Sequence, residues 1–312
     1  MELSDYMEQS QVGLALEGVT VDYGAAKPAL DNVTVSLKGG RIVGLLGANG
    51  AGKTTFINAC AGVRTATSGK VMLRGGQVGW CAQQLMIDWF VSIRTNVWMG
   101  ACLAGLTGGE AWDRADAALK SVGLDGERVQ ETPEILSGGQ QQRLMIARVL
   151  AMDPKIMLLD EPTVGLDLGH IDRLARAVRA ARDEGALVVI SSHDFTAIEP
   201  LIDDVLLLDR GTMRFLGPKA DFVSRFAQRE EISIELAEPL PGGLVQSFAS
   251  EIDVVVGDGG RNLTITAPVG TALGELLRVI EADGGVVRDV VRRGVTLGEA
   301  FMAAIEQDNG SR

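Results

Sequence analysis

The sequence predicts an α/β fold, a parallel sheet with helices on both faces, followed by a smaller α+β unit. Three observations predict it. The glycine-rich stretch Gly47-Ala48-Asn49-Gly50-Ala51-Gly52-Lys53-Thr54-Thr55 lies between an apolar run, Arg41–Leu46, and a helical segment, Thr55–Ala61. The runs Ile156–Asp160 and Ala186–Ile190 are apolar on both faces, read as central parallel strands, and alternate with helical segments. The stretch Glu238-Pro239-Leu240-Pro241-Gly242-Gly243 then breaks that alternation.

The first of these stretches fits G-x-x-x-x-G-K-[ST], and its surroundings are what that pattern needs. Glycines let the backbone curl so that successive N–H groups face an anion, and the helix N-terminus behind them adds partial positive charge. Lys53 is placed to reach the β- and γ-phosphates of a nucleotide, and the Thr54 hydroxyl to reach Mg²⁺.

Composition bounds the remaining possibilities. The chain has 312 residues, enough for one large and one smaller domain, and is 46% hydrophobic, enough for a substantial core. Its net charge of −12 argues against a nucleic-acid partner, which would need clustered Lys and Arg. Between Glu231 and Arg312 stand 13 acidic and 6 basic residues and no Lys, which reads as a solvated acidic surface. No apolar run approaches the roughly 18 residues of a membrane span. Met1–Ser10 is acidic and polar, unlike a signal peptide, so a cytoplasmic protein is expected. Cys60, Cys81 and Cys102 show no C-x-x-C pairing and read as reduced structural thiols. His170 and His193 are the only histidines, too few for a histidine-rich metal site.

In chain order, residues up to about Val12 read as a mobile tail. Leu14–Asp22 alternates as a strand, and Val33, Val35 and Leu37 as a second. Tyr23, on the turn between them, is an aromatic placed to stack on a base. After the first helix, Val71–Leu73 and Val78–Cys81 read as a hairpin turning at Arg74-Gly75-Gly76, with Gln83 and Gln84 beyond it. From Asp88 the pattern is helical, with Trp98–Leu106 and Glu110–Val122 as candidates.

Leu136-Ser137-Gly138-Gly139-Gln140 opens another helix, running to about Met152, with Ser137 and Gln140 at capping-box spacing. Two glycines at a helix start cost stability and suit a backbone that something must approach closely; an anion fits there. Asp160-Glu161 ends one buried strand and Ser191-Ser192-His193 another. Lys53, Asp160 and His193 thus fall at strand C-terminal ends, where such sheets bind ligands. Beyond the break, Ile232, Ile234 and Leu236 alternate, as do Leu263 and Ile265, and Thr271–Ala282 and Leu297–Gln307 read as helices.

From Leu14 to Gly217 the chain resembles the ATPase subunit of an ATP-binding-cassette (ABC) transporter. The resemblance rests on ordered motifs: the phosphate loop, Gln83, Leu136–Gln140 with Gln141-Gln142-Arg143, Asp160-Glu161, the turn Val164-Gly165-Leu166-Asp167, and His193. It implies a phosphate-loop ABC ATPase fold: a parallel RecA-like sheet core with an antiparallel β-subdomain and a helical subdomain over about 88–152. The ATPase domain would span 13–228 and an accessory α+β domain 229–312.

The resemblance also implies roles. Tyr23 would stack on adenine, and Lys53 with the loop from Gly47 to Thr55 would hold the phosphates of ATP. Thr54 and Gln83 would ligate Mg²⁺, with Asp160 reaching it through water. Glu161 would be the general base, His193 would contact the γ-phosphate, and Asp167 would sit at a dimer contact. Leu136, Ser137, Gly138, Gly139 and Gln140 would act on ATP held by a second copy of the chain. A separate transmembrane permease subunit would place the chain on the cytoplasmic face of the membrane. Ala82 stands where the family usually has Pro, which leaves Gln84 as an alternative to Gln83.

Glu161–Asp167 and Thr296-Leu297-Gly298-Glu299-Ala300-Phe301 resemble drug- and polysaccharide-exporter ATPases, the favoured expectation. The stretch from Asp88-Trp89-Phe90 to Met99-Gly100 is similar instead to metal-importer ATPases. A soluble ABC ATPase acting on nucleic acid is a further alternative. The single cassette, the acidic balance and the lack of a heptad run weigh against it.

Overall fold

Residues 11–239, 248, 251–257 and 259–310 are described in the computed structural model. Alternation along β1 (Gly13–Val21) and β2 (Leu30–Lys38) pairs them antiparallel, with Leu14 opposite Leu37 and Leu16 opposite Val35. Next come β3 (Arg41–Leu46), helix α1 (Lys53–Cys60), β4 (Ser68–Arg74) and β5 (Val78–Cys81). A helical stretch follows, with α2 (Ile93–Leu103), α3 (Gly108–Ser121) and α4 (Gly138–Ala151). The α/β pattern then resumes with β6 (Ile156–Asp160), α5 (Leu168–Asp183), β7 (Leu187–Ser191), the short α6 (Phe195–Ile198), β8 (Asp204–Asp209) and β9 (Thr212–Pro218).

Six strands form one sheet in the order β5-β6-β7-β3-β8-β9, parallel except for the final antiparallel pair. β6 and β7 are buried along their whole length, as runs apolar on both faces require. A second sheet, β2-β1-β4, is antiparallel. Leu14, Leu16, Val33 and Val35 share one core with Leu45 and Leu158 of the larger sheet and with Phe56, Ile57 and Cys60 of α1. Burying a Leu, Ile or Phe side chain there contributes about 1.5–3 kcal/mol. The Cys60 and Cys81 thiols are buried and free, and burial pushes the Cys81 thiol up to about 12, as inert structural thiols require.

The expected hairpin between Val71 and Cys81 does not exist. β4 pairs with β1, Leu14 opposite Leu73, whereas β5 runs parallel to β6, Cys81 opposite Leu159. Gly75 and Gly76, both at positive φ, carry the chain from one sheet to the other instead of folding it back. A Cβ on Gly75 would sit 2.1 Å from the carbonyl oxygen of Gln11, so the crossing needs glycine.

Within the helical stretch, the first helix starts earlier than the candidate Trp98–Leu106. Ser92 caps α2, its hydroxyl accepting the Thr95 N–H at 3.1 Å, so the helix begins at Ile93 rather than Trp98. Trp98 stacks on Trp112 of α3, ring centroids 5.0 Å apart. At the N-terminal end, most of the expected tail lies outside the described residues. Val12 is held, its carbonyl accepting the Gly39 N–H at 2.9 Å.

The chain divides into two compact units, Met1–Lys219 and Ala220–Arg312. The division falls at the start of α7 (Lys219–Phe226), where the Lys219 N–H donates to Asp203 O and its ammonium to Glu199 O. The second unit continues through β10 (Arg229–Leu236), β11 (Asp253–Val256), β12 (Asn262–Pro268), α8 (Leu273–Ala282), β13 (Val287–Arg293) and α9 (Leu297–Gly310). Its antiparallel sheet has the order β11-β12-β10-β13. Ile232, Ile234 and Leu236 of β10 meet Leu263, Ile265 and Ala267 of β12 in a core closed by Leu276 and Ile280 of α8. Of the Pro/Gly break, Leu240 to Gly243 lies outside the described residues.

Candidate functional site

β6, β7 and β3 are consecutive neighbours in the large sheet and parallel. The segments leaving their C-terminal ends therefore meet at one edge, which brings the glycine-rich loop, Asp160-Glu161 and His193 together.

The loop is shaped by close packing on its outer side. Gly47 passes so near β8 that a Cβ would lie 2.5 Å from Leu208 O; at Gly52, with φ +106°, it would lie 2.6 Å from Ala29 O. Helix α1 starts with no side-chain cap and no acidic residue in its first turn, so its leading amides are left for an anion. Lys53 curls back over the loop, its ammonium donating to Gly47 O (2.7 Å) and Ala48 O (3.3 Å). Burial lowers its pKa, opposed by the charges of Glu161 and Asp160. A cavity of about 310 Å³ opens here, lined by Ala29, Ala48 to Thr55, Gln83 and Glu161. Gln83 lines it and Gln84 does not.

Asp160 and Glu161 are both buried at the end of β6. The Glu161 carboxylate accepts from the His193 backbone N–H at 3.2 Å and sits 2.8 Å from His193 Nδ1, while 68% of the His193 side chain remains exposed. Glu161 itself has φ +53°, unusual for a residue with a side chain. Two hydroxyls that sequence reasoning did not single out hold this turn. Ser191 Oγ donates to Asp160 Oδ1 at 2.6 Å and accepts the Glu161 N–H at 2.9 Å. Ser192 Oγ lies 3.2 Å from Thr163 Oγ1. Their only sequence signal is two polar residues where an apolar strand would otherwise continue.

The segment Leu136–Gln140 does not line the cavity. Ser137 begins α4, its N–H donating to the Gln140 side chain at 2.9 Å, within the capping box that the spacing predicts. The two glycines differ. Among the described residues, nothing outside its own helix turn lies within 4 Å of a Cβ on Gly138, whereas one on Gly139 would meet Gly165 O at 2.3 Å. The second glycine is therefore required by the turn Val164–Asp167 of the same chain, and only the first faces open space. Asp167 ends that turn as the cap of α5. Its carboxylate accepts the His170 N–H and lies 2.7 Å from His170 Nδ1, and these bonds hold its pKa below the usual carboxylate range.

Tyr23 is 54% exposed and also outside the cavity lining. The Arg64 guanidinium lies over its ring, 4.3 Å from the centroid.

Residues 30–164 match the ABC transporter family model. The linearmycin resistance ATP-binding protein LnrL of Bacillus subtilis is 31% identical over 267 residues, covering 81% of this chain and 85% of LnrL. This chain belongs to the ABC transporter family. It is an ABC ATPase, an ATP-binding subunit. The methionine import ATP-binding protein MetN of Geobacillus kaustophilus is likewise 31% identical, over 74% of this chain and 78% of MetN. Among solved structures, a dimeric post-hydrolysis ABC cassette, MJ0796 bound to ADP and Pi, aligns with a TM-score of 0.60. It is 27% identical, over 66% of this chain and 98% of that one. An ATP-binding subunit of an ABC transporter aligns at 0.63 and 24% identity, over 68% of this chain and 92% of its own, a likeness of fold.

Proposed function

We propose that this ABC ATPase hydrolyses ATP across a composite site in a dimer of the chain and drives export through a separate membrane subunit. The observation that carries the reading is Glu161: a carboxylate on a left-handed turn at the end of a buried strand, bordering the phosphate-loop cavity and paired with His193.

The loop amides and Lys53 bind and orient the triphosphate, and Tyr23 stacks on the adenine. Thr54, Gln83 and Asp160 form an oxygen donor set suited to Mg²⁺, which prefers hydroxyl, amide, carboxylate and phosphate oxygens. Among the described residues no cluster of three or more His, Cys, Asp or Glu could hold a metal by itself. Bound Mg²⁺ supplies charge neutralisation across the phosphates. Glu161 takes the proton of the attacking water, and His193 holds the Glu161 carboxylate and is exposed enough to meet the γ-phosphate. Positioning and electrostatics account for most of the catalysis in phosphoryl transfer.

The exposed Gly138 and its flanking Ser137 complete the site of the second copy. The dimeric form of the MJ0796 cassette supports this arrangement. Among the described residues no helix is long and apolar enough to cross a membrane. Membership of the ABC transporter family supports a separate membrane subunit as the partner. Export is favoured by the likeness to a resistance protein over 81% of the chain. The likeness to MetN, a methionine import protein, favours import as the second reading.

Glu161→Gln keeps the shape and loses the proton acceptor. It should bind ATP with near-normal affinity, form a stable ATP-bound dimer in light scattering, and hydrolyse ATP about 10²–10⁴-fold more slowly in single turnovers. A wild-type hydrolysis rate would sink the assignment of Glu161 as the base, and a monomer at saturating ATP and Mg²⁺ would sink the dimer.

A further inference from the structure

The Ser191 hydroxyl is wholly buried at the end of β7, directly opposite Asp160 in the parallel register. A hydroxyl has one proton to donate and lone pairs to accept. Here the proton goes to Asp160 Oδ1 (2.6 Å) and a lone pair takes the Glu161 N–H (2.9 Å). One side chain of a neighbouring strand therefore holds the carboxylate of one residue and the backbone of the next.

Both connections bear on the reaction. The N–H that Ser191 accepts belongs to a residue at φ +53°, a conformation that a side-chain-bearing residue keeps only when its surroundings fix it. That turn takes the chain off β6 and aims the Glu161 carboxylate at the His193 backbone N–H and ring. The bond to Asp160 fixes which carboxylate oxygen is engaged by protein and which is free for a ligand. Two residues further along, Thr163 Oγ1 lies 3.2 Å from Ser192 Oγ, so the segment leaving β6 is pinned at two points, by Ser191 at the end of β7 and by Ser192 just after it. An apolar residue at 191 would continue the strand's buried run Leu187–Ile190 just as well, but would leave the buried Glu161 N–H without a partner.

We propose that Ser191 is a positioning residue for ATP hydrolysis, its hydroxyl setting the Asp160 carboxylate and the Glu161 turn in one geometry. This rests on the roles assigned above to Asp160 and Glu161. Outer-shell partners of metal-binding groups commonly change metal affinity or activity by about 10–100-fold.

The test uses the full chain as wild type, Ser191→Ala and Ser191→Cys, the last keeping nearly the same shape with a weak donor. Three readouts are taken: hydrogen exchange of the Glu161 amide without nucleotide, Mg²⁺ titration of ATP binding, and single-turnover hydrolysis. Faster Glu161 exchange is expected in both variants, with the Mg²⁺ midpoint raised about 3–10-fold and hydrolysis slowed about 10–100-fold. ATP affinity without Mg²⁺ should stay within about twofold, because the loop amides and Lys53 are untouched. Wild-type Mg²⁺ dependence and rate in either folded variant would overturn the proposal. So would failure of both variants to fold, since the hydroxyl would then serve the fold before the chemistry. If Glu161→Gln hydrolyses normally, the base assignment fails by itself, while the Mg²⁺ titration still judges Ser191 through Asp160.

Discussion

Gly139 and Gly165 touch backbone to backbone: a Cβ on Gly139 would lie 2.3 Å from the Gly165 carbonyl oxygen. The helix start at Ser137 is thereby seated on the turn leading to Asp167. Gly139→Ala must push that turn aside and should destabilise the isolated chain by about 1–3 kcal/mol. Gly138→Ala meets nothing among the described residues, so its melting temperature should match wild type while ATP-driven dimerisation weakens. Thermal melting and light scattering on the pair separate the roles. Equal melting of Gly139→Ala and wild type would show that the contact yields freely.

The aromatic residues after Gln83 divide by their packing. Trp98 is stacked on Trp112 and serves the helical stretch, whereas Phe90 is 94% exposed and its N–H is held by the Asp88 side chain. Large exposed aromatics are favoured at interface hot spots. Phe90→Ala should keep basal ATP hydrolysis within about twofold and lower co-purification with a membrane subunit at least about tenfold. Trp98→Ala should instead lower the melting temperature. Unchanged co-purification of Phe90→Ala would remove that residue from the docking surface.

Glu230 of β10 is buried against Arg292 of β13 and also accepts the Gly270 N–H. The Arg292 hydrogen bonds, first, and the Gly270 N–H hold its pKa below the ordinary 4.5. A carboxylate with a depressed folded-state pKa contributes stability that is present above its unfolded value and lost as pH falls through the folded one. The melting transition of the second unit should therefore drop on going from pH 5 to about pH 3. Glu230→Gln should melt lower than wild type at pH 7 and show a smaller drop with acid. An identical pH profile in the variant would assign the acid sensitivity to other carboxylates.

A chain ending at Gln228 keeps every residue that lines the nucleotide cavity and omits the second unit's sheet and core. It should fold and bind ATP within about threefold of the full chain, since no group at the phosphate loop is lost. Complete loss of ATP binding in a folded, soluble truncation would show that the second unit shapes the site directly. Retained binding with weaker dimerisation would assign that unit to dimer support.

What the sequence determined by itself is the chemistry carried by neighbours in the chain. The loop Gly47–Thr55, the helix start at Ser137 with its Gln140 cap, and Asp160-Glu161 at the end of an apolar run are legible because their geometry is set within a few residues. Only the tertiary structure decided the relations that cross the sheet. β4 and β5 look like a hairpin locally, but a strand's hydrogen-bonding edge accepts any partner, and pairing with β1 and with β6 placed them in different sheets over one shared core. Gly139 reads as room for a ligand until Gly165, brought in by the fold, occupies that space. Ser191 reads as the polar end of a strand, and nothing in its neighbours shows where its hydroxyl points. The parallel register that puts it opposite Asp160 fixes that direction, because strand side chains alternate faces and a slip of one residue would turn the hydroxyl away.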